Sequence, residues 1–94
     1  MKVLGLSILE EYGESHADVR SALGAWLDDV EEAEWKTPAD IKRRYASASF
    51  LANNVVVFNI KGNSFRIVVS IAYRAGIVRI KRVGTHAEYS KWRI

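Results

Sequence analysis

The apolar residues Val19, Ala22, Leu23, Trp26, Leu27 and Val30 recur at i, i+3, i+4, i+7, i+8 and i+11, which is one stripe along an α-helix. Beyond Ala46 the period changes from helical to twofold. In the stretch from Ser64 to Tyr73, alternation puts Phe65, Ile67, Val69 and Ile71 on one face of a strand and Ser64, Arg66, Val68, Ser70 and Ala72 on the other. The helical stripe and the Phe65 face are the two surfaces suited to bury each other, which leaves Arg66 pointing away from the core.

Turn chemistry divides the rest of the second half. Ser47 to Ala52 reads as a strand, Asn53-Asn54 as a turn whose residues tolerate positive φ, and Val55 to Ile60 as the next strand. Lys61-Gly62-Asn63 turns into the Ser64 strand, and Arg74-Ala75-Gly76 turns into a last strand from Ile77 to Val83. This is an antiparallel meander. Continued alternation sets Val78 and Ile80 towards the core and Ile77, Arg79, Lys81 and Val83 away from it. Arg82 then falls on the core side and must snorkel past the strand end. Arg66, Arg79 and Lys81 are expected on one open face.

The first half is helical after a short strand from Lys2 to Leu6. Ser7 and Glu10 have the spacing of a capping box, and Gly13 suits a helix stop. Ser15, with Asp18 three residues on, can cap the striped helix. Thr37, Pro38 and Asp40 suit the N-cap, first and third positions of another, where Ile41 and Tyr45 share one side and Lys42, Arg43 and Arg44 take the others. The expectation is an α+β fold, with N-terminal helices packed on one face of an antiparallel sheet.

A chain of 94 residues accommodates one domain over residues 1–94 with a single core, burying roughly two-thirds of its unfolded surface. There is no cysteine, and His16 and His86 each stand alone, so the sequence points to no disulfide, no metal site and no cofactor. No apolar run reaches the roughly 20 residues of a membrane span, and no secretory pattern opens the chain, so the expected place is the cytoplasm without membrane contact.

Charge changes the picture more. The net charge of +3 hides a division: residues 1–40 carry three cations against ten carboxylates, and residues 41–94 carry eleven cations against Glu88 alone. A sheet that basic attracts phosphate polyanions, which makes nucleic acid the leading partner. The competing reading is a solvated basic face balanced inside the fold by the acidic helices. Asp28, Asp29, Glu31, Glu32 and Glu34 crowd the negative end of the striped helix, either as a solvated face or as an answer to the sheet.

Candidate chemistry gathers at two places. Arg66 offers a planar fork with a permanent charge, suited to a phosphate or to its transition state; otherwise it pairs with a helix carboxylate. Thr85-His86-Ala87-Glu88-Tyr89 brings an imidazole, a carboxylate and a phenol into one turn, a set for proton transfer. The same residues also read as a capping box, with Thr85 as cap, Glu88 at the third position and Tyr89 packing. Asn59, Gly62 and Asn63 read as turn residues, His16 as exposed, and Trp26, Trp35 and Trp92 as core or cover.

The segment VVFNIKGNSFRIVVSIAY…IVRIKRVGTHAEY, with WKTPADIKRRYASASF before it, resembles the HigB-type toxins of bacterial toxin–antitoxin pairs, within the RelE-like messenger-RNA-cleaving group. The order Val57-Phe58-Asn59-Ile60, Gly62-Asn63, Arg66, then Gly84 to Tyr89 carries the similarity. Arg79 and Arg82 depart from it, standing where relatives commonly carry apolar or aromatic residues.

The resemblance implies a RelE-like domain and a ribosome-dependent endoribonuclease (mRNA interferase) working by metal-free attack of the ribose 2′-hydroxyl. The implied catalytic set is Arg66 and Lys81 on the phosphate with His86 and Tyr89 sharing proton transfer, and Glu88 in reserve. Lys61, Asn63, Arg79, Lys91 and Arg93 would bind RNA. The implied partners are ribosome and mRNA and a HigA-like helix-turn-helix antitoxin, with operator DNA reached only through the antitoxin complex. Two other readings of the basic face stand beside this one: a non-catalytic RNA- or ribosome-binding module, and a docking site for an acidic protein.

Overall fold

The computed structural model describes residues 1–92. Lys2–Leu4 forms β1, followed by α1 (Leu6–Ser15), α2 (Ala17–Glu32) and α3 (Pro38–Arg44). The strands β2 (Ser49–Phe50), β3 (Val55–Ile60), β4 (Phe65–Ala72) and β5 (Ile77–Thr85) come next, and α4 (His86–Tyr89) follows β5 directly. No helix among these residues is long and apolar enough to cross a membrane.

The five strands lie in the order β1-β5-β4-β3-β2. From β2 to β5 each strand pairs antiparallel with the next, as the turn residues require: Asn53 and Asn54 hold φ of 62° and 59°, and Lys61 and Gly62 hold 53° and 66°. β1 departs from the meander by lying parallel to β5, with Val3 opposite Val78, so the sheet is mixed rather than wholly antiparallel. Gly5 then swings the chain from β1 into α1 at φ 85°, where a Cβ would come within 2.8 Å of the Ile80 carbonyl oxygen. The α+β architecture with helices ahead of the sheet is the one the periodicities call for.

Helix boundaries differ from expectation where a cap is involved. α1 begins after Gly5, so Ser7 lies inside it, and it runs through Gly13 to Ser15. His16 is the N-cap of α2 in place of Ser15, with no side-chain cap hydrogen bond. α3 and α4 start as read, Thr37 with Asp40 and Thr85 with Glu88 closing capping boxes, the first around Pro38. β2 shrinks to two residues at the sheet edge, because Ala46 and Ser47 form a turn before it and a 3₁₀ segment, Ala52–Asn54, follows it.

The core lies between the helices and one sheet face. Val19, Leu23, Trp26 and Val30 of α2 are buried against Val56 and Phe58 of β3, Ile67, Val69 and Ile71 of β4, and Val78 and Ile80 of β5. Phe58 is the hub: Trp26 and Tyr45 meet it edge-on at 5.4 and 5.1 Å between ring centroids, and Trp35 stacks at 5.9 Å.

β4 and β5 pair without slip from Ala72 opposite Ile77 to Val69 opposite Ile80, but Val68 then opposes Arg82. Lys81 is therefore an extra residue, a β-bulge, and the alternation of β5 changes phase there. Val83 pairs with Ile67 and enters the core at 9% exposure, whereas Arg82 stands on the outer face beside Val68. This reverses the expected places of both.

Unfolding free energies should follow the bulged phase. Val83→Ala is expected to cost about 2 kcal/mol in denaturant melts, the loss of two buried methyl groups and the void they leave. Arg82→Ala should cost less than about 1 kcal/mol, the scale of an exposed cation–π contact. The opposite order would contradict the bulge.

Candidate functional site

The sheet face turned away from the helices is not uniformly open. Val55, Val57 and Val68 form a second, smaller apolar cluster, and the chain after β5 folds back so that Tyr89 and Trp92 cover it. The fold-back starts with a capping box: Glu88 N–H donates to Thr85 Oγ1 at 3.1 Å, and Thr85 N–H donates to Glu88 Oε1 at 2.8 Å. Gly84 makes room for it, since a Cβ there would lie 2.6 Å from the Trp92 ring.

Arg66 sits beneath this cover, between Asn59 on β3 and Gly84 on β5, and is the one buried charged side chain among the described residues, at 8% exposure. One terminal nitrogen donates to the carbonyls of Asn63 and Phe65 at 2.8 and 3.2 Å, and the other donates to His86 Nδ1 at 2.7 Å. A guanidinium has no acceptor, so Nδ1 supplies the lone pair and the imidazole proton resides on Nε2. His86 is held in place by its own N–H, which donates to Ser64 O at 2.9 Å, and the Tyr89 ring centroid lies 5.7 Å from the guanidinium carbon.

Among the described residues no carboxylate lies within ion-pair distance of Arg66. The alternative in which it pairs with a helix carboxylate therefore does not occur: the helices cover the opposite face. A cation taken out of water and held by neutral partners alone keeps an unmet demand for an anion.

Beyond Val68 the outer face opens into a groove of about 370 Å³. Val55, Val68 and Ser70 form its floor, Leu51, Ala52 and Asn53 one wall, and Lys81 and Arg82 the other. The bulge is what turns two consecutive cations into this space. Arg82 lies over Trp92 at 5.3 Å, and Trp92 meets Tyr89 edge-on at 5.9 Å, so two cation–π contacts joined by an aromatic pair link Arg82 to Arg66.

The other expected site residues are scattered. Arg79 is exposed on the outer face opposite Ser70, and Lys91 is exposed just past α4. Asn63 serves Arg66 through its carbonyl, and Asn59 Nδ2 donates to Ser47 O at 3.1 Å. Lys61 turns towards α2, with Nζ 3.0 Å from Asp18 O and 3.8 Å from its carboxylate. Arg93 lies outside the described residues.

The three cations of α3 are committed within the fold: Lys42 to Ala48 O, Arg43 to Asp40, and Arg44 to Asp29. Asp29 also accepts from the Tyr45 hydroxyl, so it answers α3 and not the sheet.

The carboxylate of Glu88 is likewise engaged. Besides the Thr85 N–H, its Oε1 accepts from the Tyr12 hydroxyl at 3.2 Å, which ties α1 to α4. The Thr85 hydrogen bond is the main reason that the Glu88 carboxyl is lowered from its ordinary value. Burial, reinforced by Glu88, pushes the Tyr12 phenol up to about 12. His16, expected to be exposed, is half-buried and stacks on the Tyr12 ring at 3.9 Å.

Trp92 is cover, as its expected place allows, whereas the outward place of Arg82 and the part played by Tyr12 do not follow from local pattern. One signal was present: Lys81-Arg82 puts two polar residues in succession between Ile80 and Val83, which is how a bulge interrupts alternation. The Tyr12–Glu88 contact spans 76 positions and leaves no local trace.

A family model for HigB toxin, described as the RelE-like toxic component of a toxin–antitoxin system, matches residues 19–92, most of the chain. β1 and α1 precede the matched span. Comparison with curated proteins gives no match.

Gly84→Ala should drive Trp92 off the sheet, with a red shift in tryptophan emission and about 1–3 kcal/mol lost in denaturant melts. Unchanged emission and stability would show that Trp92 is not seated there. Because folding lowers the Glu88 carboxyl, its contribution is present above the ordinary value of 4.5 and is lost as pH falls through the lower folded value. Acid titration followed by the amide resonances of Thr85 and Glu88 should show the cap opening below pH 4.5, and Glu88→Gln should abolish that titration.

Proposed function

The chain belongs to the HigB-type toxins, the RelE-like toxic components of toxin–antitoxin systems, and from that premise we propose that it is an endoribonuclease that cuts messenger RNA on the ribosome. The observation that carries this reading is Arg66, a buried guanidinium with no carboxylate partner among the described residues, set beside an imidazole and a phenol. An RNA phosphate supplies the missing anion.

The reaction needs no nucleophile from the protein. A base takes the proton of a ribose 2′-hydroxyl, the oxygen attacks the adjacent phosphorus, the bond from phosphorus to the 5′-oxygen breaks, and an acid protonates the leaving oxygen. Arg66 stabilises the charge that builds on the phosphoryl oxygens. His86 and Tyr89 flank Arg66 and are cast as the pair that shares the two proton transfers, one taking the 2′-hydroxyl proton and the other returning one to the leaving oxygen. Glu88 holds α4 in shape and takes no proton in this scheme.

Lys81, joined by Arg82, grips the backbone as it crosses the groove. Arg79 and Lys91 add exposed charge, giving salt-sensitive affinity with little sequence preference. Arg93 is assigned the same duty from its place in the sequence. Lys61, spent on Asp18, is given no part in binding. The antitoxin that the family implies is assigned the HigA-like helix-turn-helix type, bringing operator DNA only through the complex, and the setting is the cytoplasm.

Induction without antitoxin is expected to halt growth and leave new ends in translated messages. The double variant Arg66→Ala with His86→Ala should restore growth, lower cleavage by about 100-fold or more, and keep a cooperative thermal melt. Salt-dependent RNA binding with no new ends in the wild type would refute the nuclease and leave a binding module. Full cleavage by the double variant would refute the assigned site.

A further inference from the structure

The helical side of the molecule carries a feature that RNA chemistry does not use. Between α1 and α2 runs an apolar groove of about 300 Å³, with Leu9, Leu23, Gly24 and Leu27 in its lining and Glu10 and Glu14 along its rim. Gly24 lies in the middle of the 16-residue α2, where glycine is the least favourable residue after proline. Among the described residues nothing calls for it, because a Cβ on Gly24 would meet no atom within 4 Å beyond the adjoining residues and the helix's own backbone. Gly5 and Gly84 differ in this respect, each being required by a neighbour closer than 3 Å. The bare backbone at Gly24 makes the groove deeper than any side chain would leave it, and the only surface that gains is one arriving from outside.

Charge narrows what can arrive. Glu10 and Glu14 line the groove, and so does Arg20, whose Nε and Nη2 are turned inward onto the Gly13 carbonyl at 3.2 and 3.1 Å. α1 and α2 together carry eight carboxylates, of which Asp18 pairs with Lys61 and Asp29 with Arg44. Such a surface repels RNA and favours a cationic protein segment. An apolar trough flanked by acids matches an amphipathic helix with an apolar anchor and basic flanks. One wall of the trough, α1, precedes the matched span, and the other, α2, lies mostly within it.

We propose that the α1–α2 groove is the docking site of the antitoxin, entered by an amphipathic helix that seats an apolar side chain over Gly24 and sets basic residues against Glu10 and Glu14. The proposal rests on the toxin–antitoxin reading for the existence of that partner. It places the antitoxin on the acidic helical face and leaves the basic sheet face to RNA.

The test is calorimetric titration of the purified chain with its antitoxin, taken as the product of the reading frame beside its own. Gly24→Trp fills the trough and should weaken binding at least tenfold, while RNA cleavage by the free chain stays at the wild-type rate. Gly24→Gln, a smaller side chain and a good helix former, carries the same test with less risk to the fold. Gly24→Ala should raise the melting temperature of the free chain by roughly 4–8 °C, as expected where glycine has no internal purpose. Glu10→Lys with Glu14→Lys should also lower the affinity at least tenfold and flatten its salt dependence.

Affinity within twofold of wild type for Gly24→Trp and Gly24→Gln would overturn the proposal. Loss of binding in Lys81→Glu with Arg82→Glu would overturn it as well, by placing the antitoxin on the sheet face. Should the wild type cut no RNA, the nuclease reading falls, while the affinity comparison still decides the docking site.

Discussion

Between Val68 and Val69 the ladder of β4 and β5 slips by one residue, and the outward cations past that point owe their direction to it. Strict alternation would send Arg82 among the buried side chains and Val83 into water, a loss on both counts. The extra residue, Lys81, absorbs the conflict. It keeps Val83 on Ile67 in the core and turns two adjacent cations over an apolar floor. Core packing and surface charge are thus settled by the same backbone irregularity, and neither could be changed without the other.

The outer face has its own order, built from weak contacts in sequence. Gly84 leaves the space that the Trp92 ring fills, Trp92 meets Tyr89 and Arg82, and Tyr89 covers Arg66. Each contact is worth about 1 kcal/mol. Together they hold a guanidinium out of water beside neutral partners, ready for an anion without the reorganisation that water would demand. The capping box of α4 belongs to this arrangement. The two readings of Thr85 to Tyr89, structural cap and chemical site, turn out to be compatible: the cap fixes the turn that presents His86 to Arg66.

The two faces of the sheet divide the molecule electrically. Helices with an acidic surface cover one side, and the cations of β5 lie on the other. Among the described residues the ion pairs are Arg43 with Asp40 within α3, Arg44 with Asp29 and Lys61 with Asp18, all on the helical side. Among the described residues Arg66, Arg79, Lys81 and Arg82 of the sheet have no carboxylate within ion-pair distance, and on α1 and α2 only Asp18 and Asp29 have a cation. A molecule left with two unsatisfied faces of opposite sign is suited to two partners of opposite sign.

Much of this was legible along the chain, because periodicity and turn chemistry act over a few residues. The α2 stripe, the α3 cap, β3 from Val55 to Ile60, the Phe65 face of β4 and the outward direction of Arg66 all follow from local rules. Caps of α1 and α2 were misread because Ser7 and Ser15 offered plausible local hydrogen bonds that the packed helices do not use. The parallel pairing of β1 with β5, the burial of Arg66 and the Tyr12–Glu88 tie involve residues far apart, whose meeting depends on how whole elements stack. The sequence by itself determined which surfaces are apolar, which are charged and where the chemistry-bearing residues lie. Only the tertiary structure decided that Arg66 is covered, that His86 is its partner and that Arg82 faces out, since a strand's register and what folds over it are set by the competition of all buried surfaces at once.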